Sequence, residues 1–347
     1  MADSVSVGLI GYGLAGSAFH APLIAATPGL KLDYIVTSNE QRAAQARSLY
    51  PDVRILSEAQ ELWGAGPEAV VVATPNTSHA PLALEAIAHG IHVVVDKPLA
   101  LSVEQGRQLI EAAKAAGVRL TVFQNRRWDG DFLTVADLVT SGRLGKIARF
   151  ENRFERFRPQ IKEGWRERVS PAEGGGLLFD LGAHVIDQAV ALFGTVRDIY
   201  AEVDTTREEA TTDDDVFVAL THISGVRSHL FMSAIAADLG PRFRVLGTAG
   251  GYHVYGLDVQ EAALREGRVP GSGWGSVAEA DWGILTDSEG PQPVPTKPGN
   301  YPAFYAQLAV ALLNDGPVPV DPADAVNVLQ IMQAARESSS SRTVVLL

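Results

Sequence analysis

Asp180, His184 and Asp187 stand at positions i, i+4 and i+7 of the stretch 174–187. On a helix that spacing puts all three along one face. Leu178, Leu181, Val185, Ile186, Ala189 and Phe193 fall opposite and suit a core. A carboxylate beside an imidazole of near-neutral pKa can remove a proton from a hydroxyl. A structural ion pair looks the same, so this pair alone does not decide the matter. Lys97 is the second candidate. The apolar run His92–Asp96 delivers it, and Pro98 follows. In open α/β sheets ligands bind beyond the carboxyl ends of strands, where such a lysine would lie. A surface lysine after a strand is the plain alternative.

The elements that must position these groups begin at the N-terminus. Val5–Ile10 is short, apolar and branched, as a buried parallel strand should be. Gly11-Tyr-Gly13-Leu14-Ala15-Gly16 follows, and Ser17–Ala26 reads as a helix stopped by Pro28-Gly29. Gly11 permits a tight turn, Gly13 lets a pyrophosphate approach the backbone, and Gly16 lets helix and strand pack closely. Leu14 and Ala15 lie where the first helical N–H groups and the helix dipole favour an anion. The glycine triplet sits between strand and helix, the context in which it carries information. The second strand ends at Val36 and offers Thr37, Ser38 and Asn39 where an NAD enzyme usually places an acid. Ser38 suits a 2′-phosphate and Arg42 would neutralise it, so NADP is preferred and NAD remains possible. Glu40 reads as a helix-start acid.

Strand and helix alternate up to about Gln124. Strands are expected at Val5–Ile10, Leu30–Val36, Ala69–Ala73, His92–Asp96 and Leu120–Phe123, with helices near Ser17–Ala26, Gln41–Leu49, His79–His89 and Val103–Ala116. This order implies a parallel sheet with helices on both faces. Past Asp131 the pattern changes to a helix at Phe132–Ser141, a strand at Lys146–Phe157 and the key helix at Leu177–Phe193. Alternating stretches at 196–203, 216–223, 227–233, 242–247 and 251–255 then suggest an antiparallel meander. Residues 267–302 are rich in Gly and Pro and are expected as a long loop or lid. Helices near Ala303–Leu313 and Ala323–Glu337, a turn at Ser338–Ser341 and a strand at Thr343–Leu346 close the chain. The expected fold class is α/β. A Rossmann dinucleotide-binding domain spans 1–124, and an α+β domain with a large open, mostly antiparallel sheet spans 125–347.

The 347 residues suffice for two domains. A net charge of −12 argues against a non-specific nucleic-acid surface. With no cysteine there is no thiolate chemistry and no zinc-thiolate site. His79, His89 and His92 are too scattered for a ligand cluster, so no metal is expected. The N-terminus lacks the basic start and long apolar run of a signal, and no run reaches ~18 uninterrupted apolar residues. A cytoplasmic enzyme without a membrane partner is the expectation.

Taken together, Gly11-x-Gly13-x-x-Gly16, Thr74-Pro75-Asn76-x-x-His79, Asp96-Lys97-Pro98 and Asp180-x-x-x-His184 resemble the landmarks of the Gfo/Idh/MocA family of nicotinamide-dependent oxidoreductases, in order and over essentially the whole chain. The family usually has Glu where this chain has Asp96, which keeps the charge. The segments Gln124–Phe132 and Phe154–Pro159, with Trp165-Arg166, look like the branch of NADP-dependent scyllo-inositol dehydrogenases and their close relatives. The resemblance implies that Lys97, Asp180 and His184 form the catalytic set. His184 would be the base, Lys97 would stabilise charge on the oxygen, and Asp180 would support both. It also implies that Thr74, Pro75, Asn76 and His79 pass beneath the pyrophosphate and nicotinamide ribose, with Asp96 and Lys97 nearby. Arg127, Trp165 and Arg166 match positions that touch cofactor or substrate. Asn125, Asp129, Arg153 and Arg156 offer the mixed donors and acceptors that a ring polyol or sugar would need, although a solvated sheet face would need the two arginines equally. Other aldose dehydrogenases, an NAD-assisted glycosidase and, last, a dinucleotide-sensing regulator are the alternatives. The family's open sheet face commonly serves subunit contacts, so a homodimer or homotetramer is expected.

Overall fold

The computed structural model describes residues 4–161 and 169–347. These form two compact units. The first comprises the described residues through Asn125, with Gln260–Trp274 and Asn300–Val326. Its strands are β1 (Val5–Ile10), β2 (Leu30–Val36), β3 (Arg54–Leu56), β4 (Ala69–Val72), β5 (His92–Asp96) and β6 (Leu120–Phe123). They pair in parallel in the order β3-β2-β1-β4-β5-β6. All four residues of β4 are buried, as expected for a strand covered on both faces. This is the dinucleotide-binding strand order, and it reverses between β1 and β4. Helices α1 (Ala21–Ala25), α2 (Glu40–Leu49), α3 (Ala59–Ala65), α4 (His79–Ala88) and α5 (Val103–Ala116) connect the strands.

Three features differ from the sequence expectation. β3 and α3 are new: β3 has only three residues, too few to show a period, and α3 is announced by its Glu58/Glu61 capping box. The helix after the glycine turn opens as a π segment, Ala15–His20, before α1 begins. Two late helices, Gln260–Arg265 and Pro302–Leu313, group with this unit. Aromatic packing explains the second: Phe304 meets Phe123 edge-on at 4.9 Å, and Tyr305 reaches His20. Nearby, the Thr121 hydroxyl donates to Val320 O at 2.7 Å.

The second unit comprises 126–259, 275–299 and 327–347 among the described residues. Helix α6 (Gly130–Thr140) leads into β7 (Ile147–Glu155). A π segment, Leu178–Gly182, runs into α7 (Ala183–Phe193). Strands β8 (Val196–Asp204), β9 (Asp215–His222), β10 (Arg227–Ser233), β11 (Phe243–Gly247), β12 (Gly251–Val254), β13 (Gly283–Asp287), β14 (Gly290–Val294) and β15 (Val345–Leu346) complete it. Among the described residues the sheet order is β14-β13-β12-β11-β7-β10-β9-β8-β15. Only the β7–β10 pair is parallel.

The Gly/Pro-rich stretch is therefore not simply a loop. It contributes the β13–β14 hairpin, which extends the sheet from β12. Ser338–Ser341 is not a turn but the end of the last helix, Pro322–Ser341. There the hydroxyls of Ser338 and Ser339 accept the N–H groups of Ala201 and Val203 on β8, replacing strand partners. The stretch Pro171–Phe193 is long and apolar enough to cross a membrane, but 67% of its most apolar window is buried inside the protein, as in a core helix.

The turn after β1 depends on missing side chains. Gly11 has φ +96°, and a Cβ on Gly16 would stand 2.0 Å from Gly11 O. Gly16→Ala must therefore displace backbone. It is expected to lower stability by about 1–3 kcal/mol and to abolish dinucleotide binding. Urea unfolding and fluorescence titration with NADH and NADPH check this, and a variant with wild-type values in both measurements would refute the close packing.

Candidate active site

In the first unit the expected cofactor residues gather at the carboxyl ends of β1, β2, β4 and β5. Ser17 spends both its N–H and its hydroxyl on Gly13 O, each at 2.8 Å, which closes the glycine turn. Nη1 of Arg42 lies 3.9 Å from where a Cβ on Gly13 would sit, so a guanidinium overhangs the turn. Asn39 caps α2 by accepting from Arg42 N at 2.9 Å and donates its own N–H to Thr37 Oγ1 at 3.4 Å. Ser38 is exposed, and Glu40 is the first residue of α2. The cradle fits an anionic dinucleotide: the glycines leave backbone accessible, and the nearest long side chain is cationic.

After β4, the Ser78 hydroxyl donates to Thr74 Oγ1 and Pro75 O at 2.8 Å, shaping the Thr74-Pro75-Asn76 turn. His79 is 1% exposed, with Nδ1 2.8 Å from Pro98 O and Nε2 2.9 Å from Thr74 O. Its two nitrogens face one backbone carbonyl in the turn after β4 and one in the turn after β5, and the neutral ring can donate to one of them at a time. Burial pushes the His79 imidazole down, against the pull of those carbonyls and of Asp96. Asp96 accepts the Lys97 N–H at 2.9 Å, which sets the backbone that carries the lysine. Asn125, just past β6, is buried.

Sequence reasoning missed His20 and Tyr305 in this unit. His20 ends the π segment and is fully buried, with Nδ1 2.6 Å from the Tyr305 hydroxyl and Nε2 3.9 Å from Asp96 Oδ1. A histidine four residues past the last glycine of the turn was the available signal.

In the second unit Asp180 lies in the π segment, while His184 and Asp187 lie in α7. The three are therefore not on one regular α-helical stripe, because the wider π turn changes the angle between Asp180 and His184. Inserted π turns are frequent at functional sites. Asp213 caps the start of this element: its Oδ2 accepts Leu178 N at 2.8 Å, and Arg336 holds its Oδ1 at 2.9 Å. Asp187 is 2% exposed and receives Arg127 bidentately, at 2.8 and 2.6 Å. Gln188 Nε2 donates to Arg126 O at 2.8 Å, so α7 grips the Arg126–Arg127 segment at two consecutive positions. His184 itself is 6% exposed.

Two expected substrate residues have other surroundings. Asp129 is fully buried and pairs with Arg126 at 3.2 Å. Burial pushes its carboxyl up, opposed by Arg126, and does the same to Asp131, opposed by Arg242. Arg153 sits on the other face of β7 from Asn152, which bonds Gln188 of α7; its guanidinium lies over Phe231 and pairs with Glu151 at 2.9 Å. The alternation of a strand sends it to the open sheet face. Arg156 instead lies over Phe154, alongside Arg126 and Arg242. Trp165 and Arg166 lie outside the described residues.

Burial lowers the His20 imidazole to about 4, against the raising effect of Asp96. An unfolded chain would protonate it near 6.5, so its contribution to stability is present above pH 6.5 and is lost as pH falls towards 4. Between pH 7 and 4.5 this residue should account for about 2–3 kcal/mol of lost stability. Urea unfolding at both pH values should show a correspondingly smaller loss in His20→Gln. An unchanged loss would mean that His20 is already protonated or readily hydrated.

The family comparisons agree with this fold. Residues 5–124 match the model of an oxidoreductase family with an NAD-binding Rossmann fold, and residues 132–253 match the GFO/IDH/MocA C-terminal domain. The chain is 41% identical to the uncharacterized oxidoreductase YdgJ of Escherichia coli, covering 100% of both. It is 35% identical to the NADP-dependent scyllo-inositol 2-dehydrogenase IolW of Bacillus subtilis, covering 99% of this chain and 96% of that one. Among solved structures, the oxidoreductase yvaA of Bacillus subtilis aligns with a TM-score of 0.94 at 34% identity, covering 100% and 99% of the two chains. The YPO2259 oxidoreductase of Yersinia pestis aligns at 0.93 and 38%, covering 100% and 98%. With a Rossmann unit of this strand order and both family regions matched, the chain belongs to the Gfo/Idh/MocA family of oxidoreductases.

Proposed function

We propose that this enzyme transfers hydride between NADP and a secondary alcohol or ketone of a cyclic polyol, with scyllo-inositol as first choice. The observation that carries the cofactor choice is the Arg42 guanidinium over the glycine turn, at the end of a strand whose next residues are Thr37, Ser38 and Asn39 rather than an acid. The substrate choice is supported by end-to-end similarity to a scyllo-inositol 2-dehydrogenase. Relatives named 1,5-anhydro-D-fructose reductase and D-glucoside 3-dehydrogenase, at 26% and 28% identity, keep other sugars in the test.

The glycine turn, Ser38 and Arg42 would hold the dinucleotide. The nicotinamide, when bound, supplies the hydride acceptor. His184 takes the hydroxyl proton, for which an imidazole is suited near neutral pH. Lys97 stabilises the charge that develops on the same oxygen. Asp180 supports them electrostatically. Arg127 is held by Asp187, and we assign it a cofactor or substrate contact. The compartment we assign is the cytoplasm.

Steady-state assays with scyllo-inositol, myo-inositol and aldoses, each with NADP and NAD, test this reading. Inositol oxidation with higher kcat/KM for NADP is expected. His184→Ala and Lys97→Ala should each lower kcat by about 100-fold or more, while His184→Ala leaves NADP affinity unchanged. A preference for NAD would refute the reading of the Ser38–Arg42 loop, and activity on aldoses alone would replace the substrate.

We also propose a homodimer or homotetramer formed through the sheet face opposite α7. That face carries Phe217 and Phe231 with ring centroids 5.0 Å apart, flanked by His229 and Arg153. Sedimentation equilibrium should give a multiple of 37.0 kDa, and Phe231→Glu should dissociate it. A wild-type monomer at micromolar concentration would refute this interface.

A further inference from the structure

We propose that Tyr305, His20 and Asp96 form a buried positioning array that fixes the backbone at Lys97 by holding His20 in a single tautomer. The array deepens the functional reading above and rests on it only for its catalytic readout.

The geometry defines the proton positions. Nδ1 of His20 is 2.6 Å from the Tyr305 hydroxyl, and Nε2 faces Asp96 Oδ1 at 3.9 Å. A neutral imidazole has one N–H and one lone pair. With the proton on Nδ1, the Nε2 lone pair would oppose a carboxylate oxygen in a buried site. With the proton on Nε2, that N–H lies on the carboxylate side, 3.9 Å from Oδ1, where the attraction is electrostatic and not a hydrogen bond, and Nδ1 accepts from the tyrosine. Burial keeps the Tyr305 hydroxyl protonated, so it remains a donor. Burial also keeps His20 neutral. The phenol could accept from an Nδ1–H as well as donate to a bare Nδ1, so the carboxylate charge on the Nε2 side and the tyrosine donor on the Nδ1 side select the tautomer together.

Asp96 passes this on. The oxygen that faces His20 is the one that accepts Lys97 N–H at 2.9 Å. Its side-chain direction and the backbone entering Lys97 are thus set together. The titratable and charged groups around His20 are Asp96 from β5, Tyr305 from the helix Pro302–Leu313 and His79 from α4. Around Asp96 stand His20, His79 and Tyr305, with Lys97 next in sequence. The Phe123 ring, 4.5 Å from the imidazole centroid, closes another side. On the far side of the same turn Nδ1 of His79 lies 2.8 Å from Pro98 O, and in the tautomer that carries its proton there the lysine backbone is held from before and after.

The test compares wild type with Tyr305→Phe, His20→Gln and His20→Leu. Tyr305→Phe removes one hydroxyl and retains the ring in its aromatic cluster. A Gln side chain can place an amide N–H near the position of Nε2, and Leu cannot. ¹⁵N-histidine spectra of the wild type should show protonated Nε2 and bare Nδ1 from pH 8 to below pH 5. Tyr305→Phe should lose that single tautomer, and the Lys97 amide should exchange at least tenfold faster. Misplacing a reacting group by about 1 Å can cost ~100-fold, so kcat with scyllo-inositol at saturating NADP should fall at least about tenfold in Tyr305→Phe and His20→Leu. KM for NADP should stay within about twofold, and His20→Gln should recover most of kcat. If the wild type does not oxidise inositols, the substrate reading fails while the tautomer and Lys97 exchange still decide the array. A wild type protonated on Nδ1, or a Tyr305→Phe protein with wild-type tautomer and Lys97 exchange, would overturn it. Tyr305→Phe decides alone if His20→Leu does not fold.

Discussion

Backbone meets backbone with no side chain between in the turn after β1, and the first unit is built on that contact. Gly11 takes a φ that L side chains rarely adopt, and a Cβ there would stand 2.5 Å from Ala73 O. The turn after β1 and the end of β4 can therefore lie side by side where the strand order reverses. That adjacency makes the ends of β1, β2, β4 and β5 one continuous edge, so residues far apart in sequence can address one ligand. The π segment that follows carries His20 inward, beneath the same edge.

The second unit solves a different problem, because its interior holds charge. Asn152, Gln188 and Arg242 bond one another behind α7, and Asp131 lies 3.7 Å from Arg242. The Phe154 ring is approached by the guanidinium groups of Arg126, Arg156 and Arg242 at 4.7–5.1 Å. Such contacts are worth up to ~2 kcal/mol each when desolvated, whereas removing one partner of a buried ion pair costs about 3–5 kcal/mol. The network thus favours one arrangement of α6, α7 and β7 over any partial one. His184 stands on the helix whose next turn is locked into this network through Asp187 and Gln188.

Much of this was legible in the sequence. The strands of the first sheet were readable because continuous Val, Ile and Leu runs bounded by Gly and Pro have few other uses. The glycine turn and the lysine after β5 were readable because context gave each a place. β3 was too short to show a period, and it is a strand because it pairs with β2. The β13–β14 hairpin was hidden by its own composition, since prolines read as loop unless the strand lies at an edge. The π segments had no signal, because Leu178–Gly182 is compatible with an ordinary helix. Arg153 stayed open between a polyol contact and a solvated sheet face, because alternation tells which residues share a face without telling which face meets α7. Asp129 has the chemistry of a substrate contact, and its burial beside Arg126 is a tertiary fact that the sequence does not carry.

Among the described residues β14 is the last strand on its side of the sheet, and two of its five residues are Pro291 and Pro293. They alternate with Gly290, Gln292 and Val294 against β13. A proline has no N–H to give, so the two prolines must occupy the positions that face away from β13, leaving the intervening residues to bond it. The outer rim of the strand therefore presents carbonyls and almost no donors. At the opposite rim β15 has only two residues. A further strand from another chain would find too few bonds to zip onto either border, so this wide sheet is protected against open-ended growth into fibres.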